Sequence, residues 1–451
     1  MAYIPHTQEQ QQQMLAALCC ESVEQLFAEQ IPAALRLRRA LDVPPQMSEI
    51  ELRRHFAALA GANRPATEQI CFLGAGIYDH YVPSVVGSVI SRGEFYTAYT
   101  PYQAEMSQGT LQTIFEFQTM ICNLTGLDVA NASMYDGATA LAEAIIMACD
   151  LAGRDEVLLP AALHPAWKRV ARTYTAGLGI RLLEVPWRDG IPPVESVRER
   201  LGARTAGVVV QQPNFLGCVA DLRALGEAAH AVGALLVVAA DPIALGLLAT
   251  TGAEGADICV GEGQPLGLGM NYGGPLLGLF ATRQQFVRRM PGRLVGKTHD
   301  RDGRPGYVLT LQTREQHIRR ERATSNICTN QGLMMLAATV YLSVMGRQGL
   351  REVATQCLRK AHYAAERIAA LPGYRLAFGA PFFKEFVVRC PRPAAEIVAA
   401  LAERGILAGY DLGRDFPNLA DHLLIAVTEQ RTREEIDCLA EALDEAANGR
   451  G

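Results

Sequence analysis

Leu235-Leu-Val-Val-Ala-Ala240 is an apolar run without a polar interruption, and it stops at Asp241. A strand with one face in water alternates apolar and polar residues, whereas a strand covered on both faces does not. The run therefore predicts a buried strand of a parallel sheet with helices on both sides.

Similar short apolar runs lie on either side of it in the chain. They predict further strands at Glu156–Leu159, Ile180–Val185, Ala206–Val210, Asp257–Val260 and Pro275–Phe280. Stretches with helical spacing separate them, for example Ala166–Thr175 and Leu222–Val232. This alternation predicts an α/β domain with a doubly wound, mainly parallel sheet.

The remaining sequence predicts two smaller parts, so the expected organisation is a helical arm over 1–65, the large α/β domain over 66–330 and a C-terminal part over 331–451. Capping-box patterns mark helix starts in the arm, at Thr7 with Gln10, Ser22 with Gln25, and Ser48 with Glu51. Long helices over Gln331–Leu371 lead into a small α+β domain. Within the large domain, the stretch from Cys71 to Asn123 shows no regular pattern and is rich in tyrosine and glycine.

Composition excludes several classes of protein. The net charge is 42 − 47 = −5, which argues against a protein that coats nucleic acid or an anionic membrane. The eleven cysteines include no C-x-x-C pair and predict buried, reduced thiols in a cytoplasmic protein. The nine histidines lack metal-binding spacings, so no protein-built metal site is expected.

Lysine is scarce, because 38 of the 42 basic residues are arginine. Any chemistry that needs a side-chain amine must therefore use one of four residues, which are Lys168, Lys297, Lys360 and Lys384. Lys168 and Lys297 are expected at the surface.

Ligands of open α/β sheets bind at the carboxyl ends of the strands. Asp241 lies at such an end, where a carboxylate commonly pairs with the pyridinium nitrogen of pyridoxal phosphate (PLP). A turn with a helix cap explains the same residue equally well. Asp136 and Gly137 open a helix whose N-terminus suits a phosphate, although a plain helix cap needs the same residues.

The next predicted strand, Asp257–Val260, is followed by Glu262 and Gln264. In this architecture the lysine that tethers PLP follows that strand. A carboxylate and an amide have no nucleophilic amine and cannot form an imine. The sequence thus predicts the scaffold of a PLP enzyme without its defining lysine.

Two polar segments complete the candidate site. The first, Glu94–Gly109, concentrates tyrosine, threonine and glutamine in an irregular stretch, as ligand pockets often do; a loop held by its own hydrogen bonds is the alternative. The second, Leu311–Asn330, has the mixed charge of a solvated face, and its Ala-Thr-Ser-Asn portion suits close approach to another chain or an anion.

The chain closely resembles the α subunit of glycine decarboxylase, the P-protein of the glycine cleavage system, or the N-terminal half of its fused forms. The resemblance extends essentially from end to end. The segments that carry it are Phe95-Tyr-Thr-Ala-Tyr-Thr-Pro-Tyr-Gln103 with Ser107-Gln-Gly109, Asn131-Ala-Ser133, Tyr272-Gly-Gly-Pro275, and Gln312-Thr-Arg-Glu-Gln-His-Ile-Arg-Arg320 with Ala323-Thr-Ser-Asn-Ile-Cys328.

The resemblance implies the fold of fold-type I PLP-dependent transferases and an α2β2 assembly. A homologous β subunit carries the PLP lysine, which agrees with its absence here. Glycine loses CO2, and its aminomethyl group passes to the lipoyl arm of the H protein. We expect this chain to supply part of the pocket wall across the interface, through Tyr96, Tyr99, Thr100, Tyr102 and Gln103, and through Thr324, Ser325 and Asn326. Asp136, Gly137 and Asp241 are candidates for a vestigial cofactor site.

Two alternatives remain open at this point. One is a self-sufficient PLP enzyme such as an aminotransferase, which would use Lys168 or Lys297. The other is a non-catalytic subunit that only stabilises or regulates a partner.

Overall fold

The structure is a computed structural model that describes residues 5–37, 39–327 and 329–447. The chain forms two compact units, Met1–Arg64 and Pro65–Gly451. Among the described residues, no helix is both long and apolar enough to cross a membrane.

The first unit contains three helices, α1 (Gln8–Ala17), α2 (Val23–Gln30) and α3 (Glu49–Gly61). Reciprocal capping boxes start α1 and α3 as predicted. Before α2 the box is incomplete, because the Gln25 side chain accepts a hydrogen bond from the backbone of Glu21 instead of that of Ser22. None of the residues in these helices is buried, so the described part of the first unit (5–37 and 39–64) has no core of its own.

The second unit begins with elements that surround a central sheet. In chain order they are β1 (Ile70–Cys71), α4 (Ser84–Ile90), α5 (Gly93–Tyr96), α6 (Gln108–Thr125), β2 (Val129–Ala130), α7 (Gly137–Ala152), β3 (Glu156–Pro160), α8 (Pro165–Thr175), β4 (Arg181–Val185), α9 (Val194–Arg198), β5 (Thr205–Gln212), α10 (Leu222–Ala231), β6 (Leu235–Ala240), β7 (Ile258–Glu262), β8 (Gly278–Thr282), β9 (Leu294–His299), β10 (Pro305–Thr310) and α11 (Gln316–Arg319).

The central sheet has seven strands in the order β2-β8-β7-β6-β5-β3-β4. The strands from β7 to β4 run parallel, and β8 is antiparallel to both of its neighbours. This arrangement confirms the predicted doubly wound, mainly parallel α/β fold.

Strand β6 lies between β5 and β7, and all six of its residues are buried. Leu235, Val237 and Ala239 pack with the apolar residues of α7 on one face. The alternate residues of β6 pack with α6, α10 and α12 on the other. Because both faces are covered, the strand needs no polar residue, which is why its limits were predictable from the sequence.

The C-terminal part follows as α12 (Gly332–Ala369), β11 (Arg375–Leu376), β12 (Glu385–Arg389), α13 (Ala394–Glu403), β13 (Ile406–Leu407), β14 (Tyr410–Asp411), β15 (His422–Ala426) and α14 (Arg433–Ala447). Four of these strands form an antiparallel sheet in the order β11-β12-β15-β14. Helix α12 is interrupted at Gly346, whose φ of 58° and ψ of −175° are not helical. Its C-terminal section packs with α13, α14 and β12 in a second core.

Three sequence-based expectations about the fold were wrong. The stretch from Cys71 to Asn123 is partly regular, because it contains most of α6, whose buried Leu111, Ile114 and Ile121 have helical spacing. Strand β8 starts at Gly278 rather than Pro275, and a proline has no N–H to donate to a sheet. The cysteines are all free among the ten described, but only six are buried, and Cys19 is exposed.

The covered sheet yields a stability prediction. Replacing Leu236, whose side chain is completely buried, by alanine leaves a cavity in β6 and should destabilise the protein by about 2–5 kcal/mol. The shift of the urea midpoint, followed by circular dichroism, measures the loss. The control Leu178→Ala changes a residue that is 57% exposed and should stay within about 0.5 kcal/mol of the parent. Equal effects of the two changes would contradict the assignment of β6 to the core.

Candidate functional site

A pocket with several charged and polar side chains in its lining opens at the carboxyl ends of the parallel strands. Strands β5, β6 and β7 direct residues into it, and so do the start of α8, the segment after β1 and the start of β12. The lining residues include Gly76, Tyr78, His164, Trp167, Gln211, Asp241, Glu262, Lys384 and Glu385. The position agrees with the general rule for ligand sites in open α/β sheets.

Asp241 and Lys384 form a buried ion pair in this pocket. The Lys384 Nζ lies 2.6 Å from Oδ2 of Asp241, and the lysine side chain is only 2% exposed. The other carboxylate oxygen of Asp241 accepts the backbone N–H of Ile243 at 2.8 Å. Burial opposes ionisation of Asp241, but the nearby Lys384 charge holds its pKa below the usual value. Asp241 thus caps the turn after β6, and its other oxygen faces a cation, which is this chain's own lysine.

Glu262 ends β7 and accepts three backbone hydrogen bonds. Its donors are the N–H groups of Gly137 at 2.9 Å, Gln264 at 3.0 Å and Leu277 at 2.9 Å. Burial raises the pKa of Glu262 to about 7 in spite of these donors. Because the Gly137 N–H is among these donors, the Glu262 carboxyl group lies at the N-terminus of α7, where a helix favours negative charge.

The start of α7 is also capped and covered locally. The Asp136 carboxylate accepts the Thr139 N–H at 2.7 Å, and the Thr139 hydroxyl oxygen accepts the Asp136 N–H at 3.3 Å. A Cβ atom at Gly137 would lie 2.4 Å from the Trp167 ring, so this ring closes over the helix end. Asp136 thus forms a plain helix cap, and the Gly137 N–H already has a partner.

A chain of hydrogen bonds continues from Lys384 into the C-terminal part. The Lys384 Nζ lies 3.0 Å from Nε2 of His80, and Nδ1 of His80 lies 2.6 Å from a Glu429 carboxylate oxygen. Burial and the Lys384 charge lower the pKa of His80. Although burial opposes it, the His80 hydrogen bond lowers the pKa of Glu429 to about 2. A neutral His80 that donates from Nδ1 to Glu429 and accepts at Nε2 from Lys384 satisfies all three groups.

Glu385, next to the pocket lysine, holds the segment after β1. Its carboxylate accepts the Ala75 N–H at 2.7 Å and the Tyr78 hydroxyl at 2.8 Å. Burial raises the pKa of Glu385 to about 7. The Tyr78 ring in turn faces Lys384 Nζ, which lies 3.5 Å from the ring centroid.

Sequence reasoning missed this network because its members come from distant segments. His80, Cys357 and Glu429 even place potential metal-ligand atoms within 4.8 Å of one another, although no spacing in the sequence indicates it. The Lys384 amine beside His80 disfavours a cation there. The one available signal was Lys384 itself, since it is one of only four lysines and directly precedes an apolar strand.

The residues of the pocket do not fit pyridoxal phosphate. Glu262 and Gln264, which stand where we expect a tethering lysine from the sequence, have no amine. Glu262 lies at the helix N-terminus that would face the phosphate, and Lys384 already neutralises Asp241. Lys297 is exposed on β9, as expected. The expectation for Lys168 was wrong: its side chain is 12% exposed, because the amine bonds to the Ala161 carbonyl and pairs with Glu184.

The predicted tyrosine segment lies outside this pocket, on the surface. Tyr96, Tyr99 and Tyr102 are 68%, 83% and 53% exposed, and Thr100 is half-buried while Gln103 is exposed. Within the described residues, the side chains of Tyr96, Tyr99 and Gln103 form no hydrogen bond. The surface is thus rich in aromatic and amide groups that this chain alone leaves in water.

Tyr102 links this surface to the second predicted segment. Its hydroxyl accepts a hydrogen bond from Arg293 at 3.1 Å, and its ring meets the edge of His317 at 5.9 Å. His317 and the buried Arg293 both lie close to the Glu315 carboxylate. Two stretches that are about 215 residues apart in the sequence therefore meet at Tyr102 and His317.

The predicted residues Thr324, Ser325 and Asn326 lie beyond that contact. The Thr324 N–H donates to the Arg314 carbonyl at 3.2 Å, and the Ser325 hydroxyl accepts the Ile327 N–H at 3.1 Å. Glu143 of α7 is buried beside Ser325, and burial raises the pKa of Glu143 to about 7. Thr324 and Ser325 are half-buried, and Asn326 is exposed. Cys328, which ends the motif, lies outside the described residues.

The fold defines the class of protein, which is that of the fold-type I PLP-dependent transferases. A sphingosine-1-phosphate lyase of Burkholderia pseudomallei shares the fold at 16% identity, with a TM-score of 0.67 over 93% of this chain and 94% of that one. The family is more specific. The chain matches the family described as glycine cleavage system P-protein over residues 1–443 and belongs to it.

Close relatives agree with this assignment. The chain is 55% identical to the probable glycine dehydrogenase (decarboxylating) subunit 1 of Desulforamulus reducens, over 98% of this chain and 99% of the relative. A crystal structure of glycine decarboxylase (P-protein) of the glycine cleavage system, in inhibitor-bound form, is 45% identical with a TM-score of 0.91. That match covers 99% of this chain and all of the other.

The buried ion pair yields a prediction. Lys384→Met leaves Asp241 buried without its counter-charge and should destabilise the protein by roughly 3–5 kcal/mol. Adding Asp241→Asn removes the uncompensated charge and should recover part of that loss. Urea unfolding of the single and double variants measures both the loss of stability and its recovery. The control Lys297→Met alters an exposed lysine and should leave the stability nearly unchanged. If Lys384→Met also left it unchanged, the predicted cost of an unpaired Asp241 would be wrong.

Proposed function

We propose that this chain is the α-type subunit of a glycine dehydrogenase (aminomethyl-transferring, decarboxylating) and acts only together with a β subunit. The assembly is α2β2. It releases the carboxylate of glycine as CO2 and passes the aminomethyl group to the lipoyl arm of the H protein. The β subunit supplies the lysine that binds pyridoxal phosphate, which serves as the electron sink for decarboxylation.

One observation carries this proposal: Glu262 and Gln264, at the end of β7 and just after it, stand where we expect the tethering lysine. None of the four lysines of the chain directly follows that strand, and the first one after it is Lys297. The relatives named subunit 1 bear a name that refers to a further subunit. A chain of this fold without a tether is best understood as one half of a reaction centre.

The exposed tyrosine segment is the contribution that we assign to this chain. Tyrosine and glutamine side chains combine apolar area with hydrogen-bonding groups and are effective where a partner covers them. Across the interface, Tyr99 and Gln103 would line the partner's pocket, orient the substrate and exclude water, which strengthens fixed dipoles at the reacting carboxylate. Thr324, Ser325 and Asn326 are the second group of candidates, because their small polar side chains permit close approach.

Co-expression with a candidate β chain tests the assignment. The measurement is glycine–bicarbonate exchange in the presence of lipoylated H protein, with and without this chain. We expect exchange only when both chains are present, and no coloured cofactor on this chain alone. Glycine turnover by the purified single chain, with a borohydride-reducible pyridoxyl adduct on any of its lysines, would overturn the proposal in favour of a self-sufficient PLP enzyme.

Variants in the tyrosine segment separate a pocket role from a purely stabilising one. Tyr99→Ala and Gln103→Ala should each lower exchange by the co-expressed complex by about tenfold or more, the usual effect of a misplaced polar contact. Tyr99→Phe separates the hydroxyl from the ring. The control Gln112→Ala changes an exposed glutamine on α6 and should leave exchange intact. Undiminished exchange by both alanine variants, with the complex still assembled, would favour a non-catalytic subunit.

A further inference from the structure

Pyridoxal phosphate has two ends of opposite charge. Its phosphate is an anion, for which the N-terminus of a helix is a ready site. Its protonated ring nitrogen is a cation, which enzymes of this kind place against a carboxylate. In this chain the N-terminus of α7 corresponds to the phosphate site, and Asp241 corresponds to the carboxylate that faces the ring nitrogen. Glu262 accepts a hydrogen bond from the N-terminus of α7 and lines the same pocket as Asp241.

The anionic position is taken by a side chain. The Glu262 carboxylate accepts N–H groups from the first residue of α7 and from two loop residues, Gln264 and Leu277. Three backbone donors converging on one carboxylate form the type of cradle that binds a phosphate. Glu262 is 8% exposed, so little room remains for a second anion.

The cationic position is taken as well. The Lys384 amine lies 2.6 Å from Asp241, where a positively charged ring nitrogen would have to approach. It enters from the start of β12, in the C-terminal part, and is supported by the Tyr78 ring and by His80. A lysine and a glutamate thus occupy the two charged positions of the pocket with the same polarity that the cofactor would have.

We propose that Glu262 and Lys384 are built-in replacements for the phosphate and the pyridinium nitrogen of pyridoxal phosphate, and that they keep the cofactor out of this chain's own pocket. The proposal goes beyond the proposed function, because it concerns the pocket of this chain and holds whether or not a partner is bound. It also explains why a buried carboxylate and a buried amine coexist at the end of this sheet. Glu262 satisfies the N–H groups at the N-terminus of α7, and Lys384 neutralises the charge of Asp241.

Removing the glutamate should convert the cradle into an anion site. In Glu262→Ala, the three N–H groups lose their acceptor and face the space that the carboxylate leaves. We expect inorganic phosphate at pH 8 to raise the unfolding temperature of this variant by roughly 2 °C or more while leaving the parent unchanged. The matched control is Glu262→Gln, in which an amide fills the same space, so phosphate should have no effect. Equal responses of Glu262→Ala and Glu262→Gln would overturn the proposal.

Removing both replacements should open the pocket to the cofactor itself. Glu262→Ala combined with Lys384→Ala should bind pyridoxal phosphate at least tenfold more tightly than the parent chain, as measured by equilibrium dialysis and absorbance. Borohydride should trap no adduct in the pocket, because no amine remains there. Adding Asp241→Asn should reduce the gain about tenfold. Binding that is equal in parent and double variant, or that is unaffected by Asp241→Asn, would contradict the proposal.

A measurement on the unaltered chain keeps the test decisive if the double variant does not fold. We expect no saturable binding of pyridoxal phosphate to the pocket of the parent chain. Saturable binding that is lost in Asp241→Asn would show that the cofactor enters this pocket, and it would refute the proposal. None of these readouts uses glycine exchange, so failure here is distinguishable from failure of the proposed function.

Discussion

The contact between Lys384 and Asp241 connects the two halves of the second unit. Asp241 directly follows the central strand β6, and Lys384 directly precedes β12 of the C-terminal sheet. A buried ion pair is not in itself a source of stability, because both charges lose their hydration. Here the pair is embedded in further contacts to Tyr78, His80 and Ile243, so its charges are well solvated by the protein. Its main effect is to fix where the C-terminal sheet meets the carboxyl edge of the central one.

The segment from Phe72 to Tyr81 depends on the same arrangement. It lies against the C-terminal sheet, where the Phe72 carbonyl accepts the Ala426 N–H and Asp79 pairs with Arg431. Glu385, the neighbour of Lys384, accepts hydrogen bonds from Ala75 and Tyr78 of this segment. Irregular backbone can be buried only where its polar groups find partners. The charged groups around Lys384 provide those partners, which is why a stretch with no secondary-structure pattern is nevertheless ordered at the pocket.

This dependence on distant partners also explains what the sequence could and could not predict. The limits of β6 follow from local pattern, because burial on both faces removes every polar residue from Leu235–Ala240. The helix cap at Asp136 and the lack of a lysine directly after β7 are local as well, and so are the long motifs that indicate the family. The partner of Asp241 is not local: Lys384 lies 143 residues further on, and nothing near Asp241 indicates it. Exposure of the tyrosine segment was equally unpredictable, since its composition suits a pocket wall and a structural loop alike.

A carboxylate at position 241 has two separate consequences in this fold. One oxygen caps the turn after β6 by accepting the N–H of Ile243, and the other faces the pocket with a negative charge that needs compensation. Replacing the aspartate by an apolar residue would remove the charge, but it would also leave the backbone of the turn without its acceptor, at a cost of about 1–3 kcal/mol for a buried donor. A lysine that directly precedes a strand of the opposing sheet satisfies both requirements, since it neutralises the pocket oxygen and leaves the cap intact. The buried lysine can therefore be understood from the backbone requirement of β6 as well as from the charge of the pocket.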